Sequence, residues 1–251
     1  FLDSLKSALH EAGHGLYIQG LPRKSWRYQP VAADLGAAMQ ESQALLVEML
    51  IGRTEEFYEF LSPRLEGLFR AMRDPTLHPE NLWAIKTQVR KTVDRKRADE
   101  VTYFYHILLR YRLERDMIEG RLDVDDLPAL WTEELHNLLG VMPQDNAEGV
   151  LQDVHWFVAK FGYFPSYTLG HMLAAQFYQT MRQDLPNFYD LIRKGEFLPI
   201  TKWLNKHVHS RGRLMDSHEL MRDVTGQDAS PDFLLRHLKE RYVYQNPDID
   251  E

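Results

Sequence analysis

Two histidines in the stretch Ser7 to Gly20, SALHEAGHGLYIQG, have the spacing of metal ligands. His10 and His14 are four positions apart, so on a helix they lie one turn above each other and can direct two imidazole nitrogens at one ion. Glu11 projects toward the same region, where a glutamate can act as the general base that takes a proton from a metal-activated water. The chain has no cysteine, so any metal must be held by His, Asp or Glu.

A catalytic metal site needs a third protein ligand and an open position for water. The candidate is Glu41, in MQESQALLVE, which follows a loop long enough to fold two helices face to face. Glu48, two turns further along the same predicted helix, is a candidate acceptor for the N–H of a ligand imidazole. The alternative is that the histidines are a solvated or core pair and that both glutamates are ordinary surface carboxylates. A His-Glu-x-x-His pattern alone does not decide between the two interpretations.

The distribution of apolar residues predicts an all-α fold. Leu2, Leu5 and Leu9 recur at helical spacing, which places both histidines in the middle of an amphipathic helix. No clear alternation of polar and apolar residues predicts a sheet, so we expect at most a very small β element, such as a short extended piece at 26–28. A second helix is predicted for residues 34–51, and Pro63 divides the next helical stretch in two. The further predicted helices cover residues 79–93, 100–119, 127–139, 147–161, 166–183, 186–194, 199–209, 218–224 and 231–242.

Composition narrows the class of protein. With 251 residues, 44% hydrophobic and 27% charged, the chain has a globular balance, and we expect one helical catalytic domain over 1–251. A formal net charge of -7 argues against a nucleic-acid partner. No apolar run is long enough to span a bilayer and no signal peptide is recognised, so we expect a cytoplasmic protein without a membrane partner. The chain begins at Phe1, inside a predicted helix, which indicates a piece of a longer protein.

Four stretches resemble the M32 family of zinc carboxypeptidases, in the same order and at similar spacings. They are HEAGHGLYIQGLP, ESQ, RKRADEVTYFYHILLRYRLE and GVLQDVHWFVAKFGYFPSYTLG, and the resemblance continues more weakly beyond Gly170. It implies a metal-dependent exopeptidase that removes single residues from peptides with a free C-terminal carboxylate. It further implies a largely helical fold, a homodimer, and a chain that corresponds to the C-terminal catalytic portion of a longer family member.

Carried over by position, the resemblance assigns the metal centre. His10, His14 and Glu41 would bind one zinc ion per chain, and the same ligand types also suit cobalt or manganese. Glu11 would be the general base.

The remaining motifs concern the substrate. By the resemblance, Arg95 would receive the terminal carboxylate, which a guanidinium matches with a bidentate fork. His155 and Tyr163 would lie beside the scissile carbonyl and stabilise the charge that develops on its oxygen, with Tyr167 as the fallback. Without the resemblance, Arg95 would be interpreted as part of a solvated basic face and the tyrosines as part of an aromatic core cluster.

Several positions near these residues depart from the family pattern. The family usually has a histidine before the third-ligand glutamate, an arginine four positions after it, a hydrophobic residue before Arg95, and a small polar residue and a glycine after the HW pair. This chain has Gln40, Leu45, Asp94, Phe157 and Ala159 there. Two alternatives therefore stay open: a metallopeptidase with altered, non-exo specificity, and a non-catalytic helical metal-binding or interaction module derived from the family.

Overall fold

The computed structural model describes residues 1–69 and 74–244, and within this part of the chain it contains helices and no strand. This confirms the all-α prediction. Residues 26–28, expected as a short extended piece, form turns, because Tyr28 has a left-handed φ of 66° that a strand does not accommodate. The α-helices are α1 (Leu2–Gly20), α2 (Ala37–Leu45), α3 (Glu55–Phe69), α4 (Pro79–Thr87), α5 (Tyr103–Ile118), α6 (Leu127–Leu139), α7 (Pro165–Asp184), α8 (Phe188–Lys194), α9 (Leu198–His207), α10 (Ser217–Thr225) and α11 (Asp232–Tyr242).

The chain divides into two compact units. The first unit comprises Phe1–Thr87 together with Leu169–Glu251, and the second unit is the continuous segment Gln88–Thr168. Among the described helices, none combines the length and apolar character that crossing a bilayer requires. The expectation of one catalytic domain over the whole chain stays a prediction.

Each unit has its own apolar packing. In the first unit, α2 and the turn that follows it bury Met39, Leu46 and Leu50 almost completely. In the second unit, α5 and α6 pack Leu109 against Trp131 and their apolar neighbours. Burying such side chains contributes roughly 1.5–3 kcal/mol each, which holds the helices that carry the polar residues described below.

The helix predicted for residues 34–51 begins at Ala37 in the structure and changes from α-helical to π-helical after Leu45. Asp34 accepts a hydrogen bond from the backbone N–H of Gly36 at 2.8 Å, and Gly36 has a φ of 91°, so the α-helix starts only at Ala37. After Leu45 the chain continues as a π-helical segment, Leu46–Ile51. Such wider turns occur often at functional sites, and this one carries Glu48.

The expectation that Pro63 divides a helix is wrong, because α3 runs through it without a break. A proline in a helix interior forfeits one backbone hydrogen bond and crowds the preceding turn, at about 3 kcal/mol. Here Phe57, Leu61 and Leu65 continue the buried face on both sides of the exposed proline. Tertiary packing of that face offsets the local penalty.

Candidate active site

A glycine allows α1 to approach α2 closely at the level of the two histidines. A Cβ atom on Gly13 would lie 2.5 Å from the carbonyl oxygen of Gln43 and 2.6 Å from the Cα atom of Ala44. No real side chain tolerates such distances, so the residue between His10 and His14 on this face must be glycine for the helices to meet as they do. The close approach brings Glu41 within reach of both histidines.

A second glycine fixes α2 from its other side. A Cβ atom on Gly170, in α7, would lie 2.7 Å from the Cβ atom of Glu41 and 3.0 Å from the carbonyl oxygen of Ala38. α2 therefore packs between α1 and α7, and both helices approach its backbone closely. The side chain of Glu41 is only 2% exposed, so its position is set by the packing of three helices.

The structure brings the three predicted metal ligands together. One nitrogen from each of His10 and His14 and one carboxylate oxygen of Glu41 all lie within 4.8 Å of one another, and the separation of His10 Nε2 from Glu41 Oε2 is 3.6 Å. Ligand bonds of about 2.1 Å in a tetrahedral site place the ligand atoms roughly 3.4 Å apart. The three side chains thus fit a divalent ion with small side-chain adjustments.

Both histidines use the same ring nitrogen to contact α2 or the segment after it. His10 Nδ1 lies 2.8 Å from Glu48 Oε2, and His14 Nδ1 lies 3.3 Å from Gln40 Oε1. Because these oxygens are acceptors, they hold the proton on Nδ1 and leave the lone pair of Nε2 for a metal ion. This role of Glu48 is predictable from the sequence, whereas Gln40 is recognisable there only as a departure from the family pattern.

The charges around Glu48 keep it ionised. Burial alone raises the pKa of this carboxyl group, but the hydrogen bond from His10 and the positive charges of Lys6 and Arg53 outweigh burial and lower it overall. Burial likewise lowers the pKa of His10, and the hydrogen bond to Glu48 reverses the direction. A carboxylate facing a ligand imidazole strengthens the imidazole as an electron donor.

Glu11 lies on the exposed side of α1, next to His10. Exposure leaves its carboxylate accessible to water and to a bound peptide. Its role as the general base stays a prediction.

In the second unit, Arg95 belongs to a buried ion cluster. Its Nε and Nη2 atoms donate to Asp153 Oδ1 at 3.1 and 2.7 Å, and Nη1 donates to the Tyr103 hydroxyl at 3.0 Å. The other oxygen of Asp153 accepts a hydrogen bond from Arg110 Nε at 2.6 Å. Burial raises the pKa of Asp153, but Arg110 and Arg95 bring it down to about 2. Arg95 is thus neither solvated nor part of a surface basic face.

The aromatic residues predicted beside Arg95 surround His155. The imidazole Nε2 of His155 lies 3.2 Å from the Tyr167 hydroxyl, and its ring is 5.4 Å from Tyr163 and 4.4 Å from Phe164 between centroids. The Arg95 guanidinium lies 5.0 Å from the Tyr167 ring. Burial and then the Arg95 charge lower the pKa of His155 to about 4, so the ring is neutral at pH 7 and carries one N–H.

The segment that carries His155 is not the α-helix predicted for residues 147–161. It consists of turns and one short 3-10 turn, Trp156–Val158. The side-chain amide of Gln152 donates to the carbonyl oxygens of Glu148 and Gly149, which a helix would use for itself. Ala159 then adopts a left-handed φ of 57°, which ends the 3-10 turn.

Two buried charged residues of α5 support this segment, and neither was predicted from the sequence. Arg110 is fully buried and holds Asp153. The Glu114 carboxylate accepts hydrogen bonds from Trp156 Nε1 at 2.6 Å and from the backbone N–H of Gly162. Their signal in the sequence was a charge at helical spacing on an otherwise apolar face, beside Ile107 and Leu113, a pattern that indicates a buried polar partner.

Comparison with known proteins gives the same family throughout. The family model of the carboxypeptidase Taq (M32) metallopeptidases matches residues 1–242. Thermostable carboxypeptidase 1 of Pyrococcus furiosus is 37% identical over 243 residues, covering 97% of this chain and 48% of that protein. The enzyme of the same name from Thermus thermophilus is 39% identical, with 97% and 47% covered.

Solved structures agree in fold. Metallocarboxypeptidase 1 of Trypanosoma cruzi matches with a TM-score of 0.89 at 37% identity, covering 95% of this chain and 50% of that one. A Pyrococcus furiosus carboxypeptidase matches with the same TM-score and identity over 95% of this chain and 47% of its own. The chain therefore spans about half the length of the relatives it matches.

Proposed function

Because this chain belongs to the carboxypeptidase Taq (M32) metallopeptidase family, we propose that it hydrolyses the C-terminal peptide bond of peptides with the help of one divalent metal ion. The observation that supports the proposal best is the convergence of one ligand atom each from His10, His14 and Glu41 within 4.8 Å. The contacts of both Nδ1 atoms add to it, since they leave Nε2 of His10 and Nε2 of His14 available to one ion.

His10, His14 and Glu41 would hold the ion, and zinc is the ion we propose, one per chain, with cobalt or manganese as alternatives that suit the same donors. When bound, such an ion polarises a carbonyl group and lowers the pKa of a water molecule. The side chains of this chain orient the reactants and move the protons.

Glu11 takes the proton of the attacking water as the water oxygen bonds to the carbonyl carbon, and it then delivers that proton to the departing amine. His155 and Tyr163 each offer a hydrogen-bond donor to the carbonyl oxygen as its negative charge grows. The neutral state of His155 at pH 7 suits this role, because it keeps one N–H without adding a positive charge. Arg95 and Tyr167 bind the terminal carboxylate of the peptide.

One observation favours a second candidate, a metallopeptidase with altered, non-exo specificity. Arg95 already donates through three of its nitrogen atoms, to Asp153 and Tyr103. A terminal carboxylate would have to use its remaining N–H groups or displace one of these partners. A peptidase that does not recognise the C-terminal carboxylate of its substrate does not need a guanidinium group available for it.

The test combines metal analysis with peptide hydrolysis. Elemental analysis of the purified chain should give about one divalent ion per chain. An N-blocked dipeptide with a free carboxylate should lose its C-terminal residue, a chelator should stop this, and zinc should restore it. Bound metal without hydrolysis would favour the non-catalytic module, and absence of metal would overturn the proposal.

A second comparison separates the two enzymatic candidates. The same dipeptide with a C-terminal amide should be cleaved about 10- to 100-fold more slowly if Arg95 pairs with the carboxylate, since a charged hydrogen-bonded pair contributes roughly 1.5–3 kcal/mol. Equal rates would remove Arg95 from its assigned role.

A homodimer and a cytoplasmic location also follow from the family proposal. Light scattering of the purified chain should give twice the mass of one 29.6 kDa chain. A monomer at all concentrations would contradict the dimer.

A further inference from the structure

A cavity of about 270 Å³ opens in the first unit between the beginning of α3 and the helices α7, α8 and α11. None of the residues that line it is a metal ligand or a member of the cluster around Arg95. Pockets for drug-sized ligands run from roughly 300 to 1,000 Å³. A cavity just below that range accommodates a molecule of about the size of one amino acid.

The inner wall of the cavity is positively charged and held in place. Arg53 is only 5% exposed. Arg241 donates from its two Nη atoms to the carbonyl oxygens of Met49 and Leu50, at 2.7 and 3.2 Å. Guanidinium groups that are fixed before a ligand arrives lose little side-chain entropy on binding a carboxylate.

The aromatic part of the wall positions a third arginine. The guanidinium of Arg182 lies 5.4 Å from the Tyr178 ring and 5.2 Å from the Tyr189 ring. The two tyrosine hydroxyls are 3.3 Å apart. With Trp83 on the α4 side, these rings provide an apolar surface for a ligand side chain beside the arginines.

The cavity is also lined by carboxylates. Glu55 and Glu56 stand in the first turn of α3, and Glu240 stands on α11. Glu240 Oε2 is 3.8 Å from Arg182 Nη1, longer than a hydrogen bond. The lining thus contains three arginines and three glutamates. Glu56 Oε1 also lies 3.6 Å from Nη2 of Arg193, outside the cavity.

This balance distinguishes between ligand classes. A bare anion such as phosphate would meet three arginines but also three carboxylates, so it gains little from the site as a whole. A dipolar ligand gains from both sets of charges. We propose that the cavity binds a free α-amino acid as its zwitterion, with the carboxylate on Arg53 and Arg182, the ammonium group against Glu240 and Glu56, and the side chain on the aromatic wall.

The inference goes beyond the proposed function and holds whether or not the chain cleaves peptides. A free amino acid is also what a carboxypeptidase releases, so the two would share a ligand class. Arg241 donates hydrogen bonds to the π-helical segment that carries Glu48. Binding of the released amino acid in the cavity would therefore be linked to the candidate metal site.

The experiment is calorimetric titration of the purified chain with L-leucine. We expect saturable binding with one site per chain. L-Leucinamide lacks the carboxylate and 4-methylpentanoate lacks the ammonium group, and each should bind at least about 10-fold more weakly, the effect of losing one charged hydrogen-bonded contact. Binding of 4-methylpentanoate or of inorganic phosphate as tight as that of L-leucine would overturn the zwitterion proposal.

Variants assign the binding to the cavity. Arg182→Gln and Glu240→Gln change side chains that are 29% and 46% exposed, and each should weaken L-leucine binding about 10-fold. Arg236→Gln, an exposed position on α11 outside the cavity, is the matched control and should bind as the unmodified chain does. Circular dichroism checks that each variant is folded, and Glu240→Gln alone decides the case if the arginine variant is not.

One more variant excludes the proposed substrate site as the place of binding. Tyr167→Phe removes one hydroxyl of that site and keeps the ion pair of Arg95 with Asp153, so it should leave L-leucine binding unchanged. Loss of binding in Tyr167→Phe with normal binding in Arg182→Gln and Glu240→Gln would assign the amino acid to the proposed substrate site and overturn the inference. Failure of peptide hydrolysis with these binding results intact would overturn the proposed function alone.

Discussion

His10 on α1 and Glu48 on the segment after α2 are joined by a 2.8 Å contact between Nδ1 and Oε2. The contact fixes the ring orientation from the side opposite to Glu41, so the Nε2 lone pair is directed at the candidate metal position. It also depends on the π-helical winding of Leu46–Ile51, the segment in which Glu48 stands.

The first prediction follows from this contact. Glu48→Gln should lower metal affinity by about 10- to 100-fold, the range typical for losing the partner of a ligand histidine, while all three ligands stay in place. Competition with a chromophoric chelator measures the affinity. Glu80→Gln, on the exposed surface of α4, should show no change, and an unchanged affinity in Glu48→Gln would remove its positioning role.

The second prediction separates a metal ligand from a general base. Glu41→Ala should lose both the metal and any peptide hydrolysis, whereas Glu11→Gln should keep the metal and lose hydrolysis by a factor of about 100 or more. Elemental analysis and the dipeptide assay report the two properties independently. Full metal occupancy in Glu41→Ala would exclude it as third ligand.

The third prediction concerns the contact between α1 and α2. Gly13→Ala places a methyl group 2.5 Å from a backbone oxygen, so the helices must separate. We expect a loss of roughly 1–3 kcal/mol in the free energy of unfolding, together with weaker metal binding. Urea denaturation gives the free energy.

Gly15 is the control, because it lies on the same helix and its Cβ would meet nothing closer than 4.0 Å. Gly15→Ala should stabilise the chain by up to about 1 kcal/mol through helix propensity. Equal behaviour of the two variants would contradict the close approach.

The fourth prediction is that Arg95 is as important for folding as for binding. Arg95→Ala leaves Asp153 with one guanidinium fewer in a buried site. Breaking such a pair lowers the free energy of unfolding by about 3–5 kcal/mol. Arg97→Ala, on the same turn with a side chain 77% exposed, should change the free energy of unfolding by less than about 0.5 kcal/mol. Denaturant melts of both variants test this, and similar small losses would place Arg95 outside the ion cluster.

The fifth prediction is a pH dependence with a definite sign. The pKa of Asp153 falls from 3.8 to about 2 on folding, so ionised Asp153 stabilises the folded state above about pH 4. This contribution, on the order of 2 kcal/mol, is lost as the pH falls toward 2. The free energies of unfolding of the unmodified chain and of Asp153→Asn should therefore become more similar as the pH falls from about 4 to 2. A difference that stays constant from pH 5 to 2 would contradict the assignment.

Local signals in the sequence predicted most of the helices. The helix at 127–139 has the same bounds in the structure, because Pro128 stands in its first turn and Gly140 ends it with a φ of 70°. Such signals act within a few residues, so they are readable from the chain alone. The pairing of His10 and His14 is of the same kind, since it needs only helical periodicity.

Features that depend on distant residues were not predictable in this way. The segment 147–161 has helical composition, yet Gln152 bonds the carbonyl oxygen of Val93 at 3.1 Å and Asp153 is held by two arginines, which together favour an irregular path. Likewise, the apolar face of α5 indicates that Arg110 is buried, but nothing local identifies Asp153 as its partner. Tertiary contacts overrode propensity at these places.

The division of the chain has a consequence for the order of folding. The second unit is continuous, whereas the first is interrupted by it, so residues Phe1–Thr87 cannot complete their packing until Leu169 and the residues after it have been synthesised. α1 and α2 carry all three candidate metal ligands. Gly170, which packs closely against Glu41, is synthesised only after the whole second unit. A ribosome-bound chain thus holds its metal ligands for some time without the helix that fixes them, and the second unit can acquire its core first.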